Sequence, residues 1–385
     1  MERIVNERIG KIGISNINLD DYNISNNFGI SHLDSLSKLG ILLVLAGYKQ
    51  EDDISVAGES LSSYIDIKKF SNLNLNFKKA SPRTYDVNVV FENIAKNTFP
   101  NENNDKVTIV LLSGGIDSIA GLLYCLDKGE KCIPFWLKFG QRNQDKEEKS
   151  VKRITNKLNL PLLLSEIKLG SLVKKEWKRW KLGIIPARNF LITSMIGPYI
   201  RNLSEHNIDI YLCASKDEIV PSHNDTSPEF YEQLSYLMSR YYGKNIQVTT
   251  PFKKVNKAEI IRYWASNWEK KYGVSIKDAM TCFIGTHCGK CSSCCYRRIN
   301  ALVGKAKDVE FLQDPLLDEN GLIKNYYLPN FENWSNERKA DFLIALEYKL
   351  DILPKYLYKF YLEKKSLYGY QIYKRKCCLE KVELD

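Results

Sequence analysis

Residues 107–129, VTIVLLSGGIDSIAGLLYCLDKG, join an apolar run, a glycine turn and a segment with helical apolar spacing. This unit leaves few folds open. A strand that is apolar throughout is buried on both faces, so the helix after it crosses back and the next strand lies parallel to the first. The pattern continues with a strand over Lys131–Phe139, a helix over Gln144–Leu158, an apolar run at Leu162–Ile167, a helix after Arg188 and a strand over Ile208–Ala214. Strands alternating with helices at this spacing predict an α/β fold whose parallel sheet is covered on both faces.

The turn Ser113-Gly114-Gly115-Ile116-Asp117-Ser118 follows the first strand directly, after Leu112. In parallel sheets ligands bind beyond the carboxyl ends of the strands. Two glycines let successive N–H groups converge on phosphate oxygens at the positive end of the next helix, and Ser113 and Ser118 add hydroxyl donors. Neither the Walker lysine nor the G-x-G-x-x-G spacing is present. The turn resembles the PP-loop, S-G-G-x-D-S, of the ATP pyrophosphatases, which cleave ATP between the α and β phosphates. That resemblance implies contacts to ATP from Leu112 through Ser118. Asp117 then makes sense as a partner of Mg²⁺ that neutralises pyrophosphate. The alternative is a tight strand-to-helix turn with no ligand.

Five of the ten cysteines crowd into residues 282–295, TCFIGTHCGKCSSCC being the surrounding sequence. Cys282, Cys288, Cys291 and Cys294 stand as C-x5-C-x2-C-x2-C. Four thiolates with two-residue spacers suit tetrahedral Zn²⁺ in a closed structural site. An iron–sulfur cluster is the competing reading, although the proline that usually follows the last cluster cysteine is missing. His287 and Cys295 are spare candidate ligands. In a long chain with no secretory signal, this crowding argues for metal and against a disulfide scaffold.

Further matches appear in order: Phe139-Gly140-Gln141-Arg142-Asn143, Ile185-Pro186-Ala187-Arg188-Asn189, Asp225-Thr226-Ser227-Pro228-Glu229-Phe230, Thr250-Pro251, and Lys257-Ala258-Glu259-Ile260, then the cysteines. Over about residues 107–300 the chain resembles the 7-cyano-7-deazaguanine synthase (QueC) family, with its S-G-G-x-D-S, Y-G-Q-R-H, V-P-G-R-N, D-C-R-P-E-F, T-P-L, K-x-E-I and C…C-G-x-C-x-x-C pattern. The resemblance implies a Rossmannoid sheet of the adenine-nucleotide α-hydrolase type with bound zinc. It also implies an enzyme that adenylates 7-carboxy-7-deazaguanine, forms an amide with ammonia, and dehydrates the amide to a nitrile with a second ATP. Three positions depart from the pattern. The family histidine is Asn143, the glycine before the arginine is Ala187, and the Cys-Arg pair is Thr226-Ser227.

By this resemblance Ser113, Asp117, Ser118, Arg188 and Lys257 are the expected catalytic residues. Arg188 offers bidentate contacts to phosphate or carboxylate, and Lys257 a point charge. Asp225 or Glu229 is the expected reader of the N–H and amino edge of a guanine-like base, with Phe230 stacking on the ring or packing in the core. Asn143 is too weak a base to replace histidine, and Ser227 supplies no guanidinium. The expected product therefore includes an amide or an amine conjugate.

The matched segment sets the expected organisation: an accessory region at 1–105, the PP-loop domain at 106–280, a zinc-binding segment at 281–305, and a helical accessory region at 306–385. A helix over Ser31–Ala46 and a polar boundary, NTFPNENNDK, belong to the first. The net charge of +10, from 56 basic and 46 acidic residues, suits polyanionic partners and equally a solvated basic surface. Between Lys355 and Lys381, eight basic residues against two acidic ones interleave with six tyrosines, a mixture that suits a polyanion, a protein partner or packing on the enzyme. Nucleic acid as a partner and homo-oligomerisation stay open. The polar start and the shortness of the longest apolar stretch, Leu39–Tyr48, lead us to expect a cytoplasmic protein without a membrane span.

Three functions compete. The first is small-molecule amidation or nitrile synthesis. The second is conjugation of the activated deazaguanine acyl group to an amine of a protein or peptide acceptor, as some QueC-like proteins of anti-phage operons suggest. The third is a degenerate nucleotide-binding subunit.

Overall fold

The computed structural model describes residues 106–141, 143–167, 187–219, 225–282 and 286–384, three strands nearer the N-terminus, and Asp34, Leu36, Ser37 and Gly40. The expected Ser31–Ala46 helix, apart from those last positions, lies outside the described residues. So do the 97–105 boundary, Arg142, and Ile185-Pro186.

Two compact units are present. One comprises residues 1–113, 124–144 and 160–253, the other 114–123, 145–159 and 254–385.

The first unit contains the sheet. Its strands are β1 (Ile24–Asn26), β4 (Lys106–Leu111), β5 (Cys132–Lys138), β6 (Leu163–Ile167), β7 (Asn207–Tyr211) and β8 (Asn245–Thr249), in the order β1-β6-β5-β4-β7-β8. β4 to β8 are mutually parallel, and β1 adds antiparallel to β6. A separate parallel pair joins β2 (Asp53–Val56) to β3 (Asn88–Phe91). From Val107 to Leu111 every residue of β4 is buried, as its largely apolar character requires, and the one polar side chain, Thr108, donates its hydroxyl to Glu130 Oε2 at 2.6 Å.

Chain order leaves β4 in both directions, toward β5 and β6 on one side and β7 and β8 on the other. The topological switch point therefore lies between β4 and β7, where ligands of open parallel sheets bind. The Ser-Gly-Gly turn leaves β4 at this place and enters α1 (Ile116–Asp127), followed in the chain by α2 (Gln144–Lys157), α3 (Arg188–Ser194), α4 (Gly197–Asn202) and α5 (Pro228–Tyr242). α5 covers the edge of β8. The amides of Ile246 and Val248 donate to Ser239 Oγ (3.0 Å) and Ser235 Oγ (2.8 Å), which removes an open template for strand addition. The sulfur of Cys125, near the end of α1, lies against that of Cys132 at the start of β5.

The second unit is helical beyond residue 254. α6 (Lys257–Tyr263) continues through a π-helical turn, Trp264–Trp268, and is followed by α7 (Ser292–Val303), α8 (Asn336–Glu347) and α9 (Lys355–Glu380). Its core gathers Phe331, Phe342, Leu343, Leu346, Leu357 and Tyr361, with Phe331 edge-on to Phe360 and Trp334 edge-on to Phe342. Among residues 306–384 the regular elements are helical. No helix among the described residues is long and apolar enough to cross a membrane.

Candidate nucleotide-binding site and metal centre

Gly114 has φ +72°, a conformation that L side chains seldom adopt, and a Cβ there would lie 3.1 Å from Ser150 Cβ and 3.3 Å from the Glu147 carbonyl oxygen. Both restrictions favour glycine. Its carbonyl accepts from Met280 N–H at 2.7 Å, and the Ser150 hydroxyl lies within reach of that carbonyl (3.3 Å) and of Asp278 O (2.9 Å). The Gly115 carbonyl starts α1 by accepting from Ile119 N–H, while Ser118 Oγ donates back to it at 3.1 Å. The first-turn amides of the twelve-residue α1 have no helical acceptors of their own, so this end is suited to an anion. Ser113 is exposed and Ser118 buried.

Asp117 and Lys257, expected at a metal and at a phosphate respectively, meet each other: Lys257 Nζ lies 2.8 Å from Asp117 Oδ2, with both side chains largely buried. Lys257 is the first residue of α6, whose start is a capping box. Asn256 Oδ1 accepts from Glu259 N–H at 3.1 Å, and Glu259 Oε2 accepts from Asn256 N–H at 2.8 Å. Asn-x-x-Glu made this cap legible in the sequence. Nothing there marked Tyr296, whose ring centroid sits 5.0 Å from Lys257 Nζ.

Arg188 and Asp225 belong together in the first unit. Burial raises the Asp225 carboxyl above its ordinary range, while the Arg188 charge and the Asn189 N–H, 3.4 Å from Asp225 Oδ2, pull the other way. Asn189 Nδ2 also donates to the Asp225 carbonyl at 3.1 Å. Arg188 itself is exposed at the start of α3. Just before it, Ala187 holds φ +46° and ψ 29°, the left-handed region. The glycine of the family pattern at this position thus has a physical reason.

Ser227 is fully buried and caps α5, accepting from Phe230 N–H at 3.1 Å. The residue standing where the family has arginine is therefore a helix cap. Glu229 is in the first turn of α5, and Phe230 is a core side chain with its ring edge-on to Tyr231. Asn143 is half-buried in the turn before α2.

Cys282, Cys288, Cys291 and Cys294 are all buried, and their sulfurs lie within 4.8 Å of one another. The Cys288 and Cys294 sulfurs are 4.0 Å apart, close to the ~3.8 Å edge of a tetrahedron with metal–sulfur bonds of about 2.3 Å. Cys282 Sγ accepts from Cys288 N–H (3.5 Å) and Cys288 Sγ from Lys290 N–H (3.3 Å), bonds that favour thiolates. This donor set fits zinc, for which the four cysteines form a closed site. Cys295 is outside it, buried in the helical core. His287 sits at φ +51°, and its carbonyl accepts from Leu312 N–H at 3.0 Å. The segment between the nucleotide turn and the cysteines is strapped by buried Arg297, which binds Asp308 (2.7 Å) and the carbonyls of Ala279 (2.6 Å) and Ile276 (2.7 Å).

Residues 107–304, just over half the chain, match the family model described as queuosine biosynthesis protein QueC. The chain is 24% identical over 337 residues to the 7-cyano-7-deazaguanine synthase of Sulfolobus acidocaldarius, spanning 74% of this chain and 68% of that protein. It is 28% identical over 245 residues to that of Picrophilus torridus, covering 58% of this chain and 98% of the relative. For the enzyme of Methanocaldococcus jannaschii the figures are 26% over 227 residues, 52% and 96%.

Proposed function

This chain belongs to the QueC family, and from that premise we propose that it adenylates a 7-deazaguanine carboxylate with ATP and passes the acyl group to nitrogen. The observation carrying this reading is the Ser-Gly-Gly turn with Lys257 paired to its acid, Asp117. A carboxylate oxygen attacks the α phosphorus, the α–β phosphoanhydride bond breaks, and pyrophosphate leaves. An amine then attacks the acyl carbon, AMP departs, and the amine proton passes to solvent or a base.

The roles follow from charge. Amides at the start of α1 and the hydroxyls of Ser113 and Ser118 receive phosphate oxygens. Asp117 would hold Mg²⁺, which would supply charge neutralisation at pyrophosphate. Nucleotide binding separates the Asp117–Lys257 pair, freeing the ammonium for phosphate. Arg188 faces a second anionic group, while Asp225 and Glu229 receive the donors of the base edge.

Asn143 favours an amide or an amine conjugate as the product over the nitrile. Dehydrating an amide needs a second adenylation and a proton transfer for which an amide side chain is a poor base. Incubating the protein with ATP, Mg²⁺, 7-carboxy-7-deazaguanine and ammonia, and following nucleotides and deazapurines by mass, tests both statements. AMP, pyrophosphate and amide are expected. ADP and phosphate as the only nucleotide products would remove the first reading, and rapid complete conversion to nitrile the second.

A further inference from the structure

We infer that Arg375, far beyond the family-matched segment, is a positioning residue that aims Lys257 at the nucleotide turn. This rests on the reading of Lys257 given above. Arg375 lies on α9 with only 4% of its side chain exposed. Its Nη1 donates to Glu259 Oε1 and its Nη2 to Asn256 Oδ1, the two side chains of the capping box that starts α6. Asp341, on α8, holds the guanidinium from behind, accepting from Nε at 2.7 Å and from Nη2 at 3.2 Å. One fork therefore ties the residue before Lys257, the residue two after it, and a buried acid of the C-terminal helices.

Two physical effects follow. The fork fixes the first turn of α6, and with it the root of the Lys257 side chain. It also neutralises Glu259 and Asp341. Without Arg375 those carboxylates would lose that cation, and the Asn256 and Glu259 side chains that cap α6 would lose their tie to α8 and α9. A second tie runs in the same direction. Arg338 of α8 lies 5.7 Å from the Tyr296 ring centroid, and the same ring carries Lys257 Nζ at 5.0 Å. The C-terminal helices are thus part of what shapes this end of the site, whatever else they bind.

The test compares wild type with Arg375→Met, Arg375→Lys and the double variant Arg375→Met/Asp341→Leu, which removes the buried acid together with its partner so that a folded protein is retained. Two measurements are made: affinity for Mg²⁺ with α,β-methylene-ATP, and hydrogen exchange of the 257–260 amides without nucleotide. Arg375→Met and the double variant should bind the analogue roughly 10- to 100-fold more weakly, the effect of losing one charged hydrogen bond. KM for ATP should rise more than kcat falls. The 257–260 amides should exchange faster, and Arg375→Lys should recover part of both effects. Folded variants with wild-type affinity would overturn the inference. If the wild type binds no analogue, the nucleotide reading falls instead, and exchange alone decides: faster exchange in the double variant upholds the positioning, unchanged exchange removes it.

Discussion

Gly289, between the second and third metal-site cysteines, gives the sharpest stability test. It has φ +70°, and a Cβ built on it would lie 1.9 Å from the carbonyl oxygen and 2.9 Å from the carbonyl carbon of Gln313. Backbone cannot swing aside as a side-chain tip does, so Gly289→Ala forces the knuckle and residue 313 apart. Gly273, in the same unit, has φ +67° with nothing within 4 Å of its Cβ, so Gly273→Ala carries the dihedral cost alone. That cost is about 1–2 kcal/mol for an L residue in the left-handed region. The forced displacement adds about 1–3 kcal/mol, the range for overpacking a filled site. Gly289→Ala is therefore expected to lose about 1–3 kcal/mol more than Gly273→Ala in denaturant unfolding, and to release zinc to a chelator faster. Equal losses with equal zinc retention would show that the 313 segment does not brace the knuckle.

Arg297→Met should destabilise by about 3–5 kcal/mol, since it strands buried Asp308 and two carbonyls; a loss below 1 kcal/mol in equilibrium unfolding would contradict the strap. Ala187→Gly should stabilise by roughly 1 kcal/mol by relieving a left-handed alanine, and a lower melting temperature would count against that conformation. Asp225, raised by burial, favours its neutral form in the fold. Its contribution is complete below the ordinary value of 3.8 and is lost as pH rises through the raised one. Asp225→Asn should therefore gain stability relative to wild type at pH 7 more than at pH 4 while losing deazaguanine affinity; a larger gain at pH 4 would reverse the assignment. Elemental analysis should find about one zinc per chain, and iron with sulfide would refute the Cys₄ zinc site.

What was legible in the sequence was local. The Ser-Gly-Gly turn announces itself because φ +72° at Gly114 admits little but glycine, and the four cysteines because their spacing turns adjacent sulfurs toward one point. β4 and β5 were legible as largely apolar runs and β6 and β7 from shorter apolar stretches, whereas β8, Asn245–Thr249, alternates polar and apolar residues and has no such run. Long-range pairing was not legible. Asp117 and Lys257 were each picked out, yet for different partners, and only the fold shows them bonded to each other. Phe230 carries no sign in its neighbours that its ring is wholly enclosed. Arg375 is one of eight basic residues between 355 and 381, and pattern alone cannot distinguish a buried fork from a solvated cation.

The reach of Arg375 back to Glu259, 116 residues earlier in the chain, also sets a timetable for synthesis. At translation speeds of about 5–20 residues per second, roughly 6–23 s separate the appearance of the capping box from that of the guanidinium that secures it. Through that interval the nascent chain carries its nucleotide turn and Lys257 with the helix start held only by its own two side chains. A polypeptide cut short between residues 305 and 374 would have every family motif in place and its lysine poorly aimed.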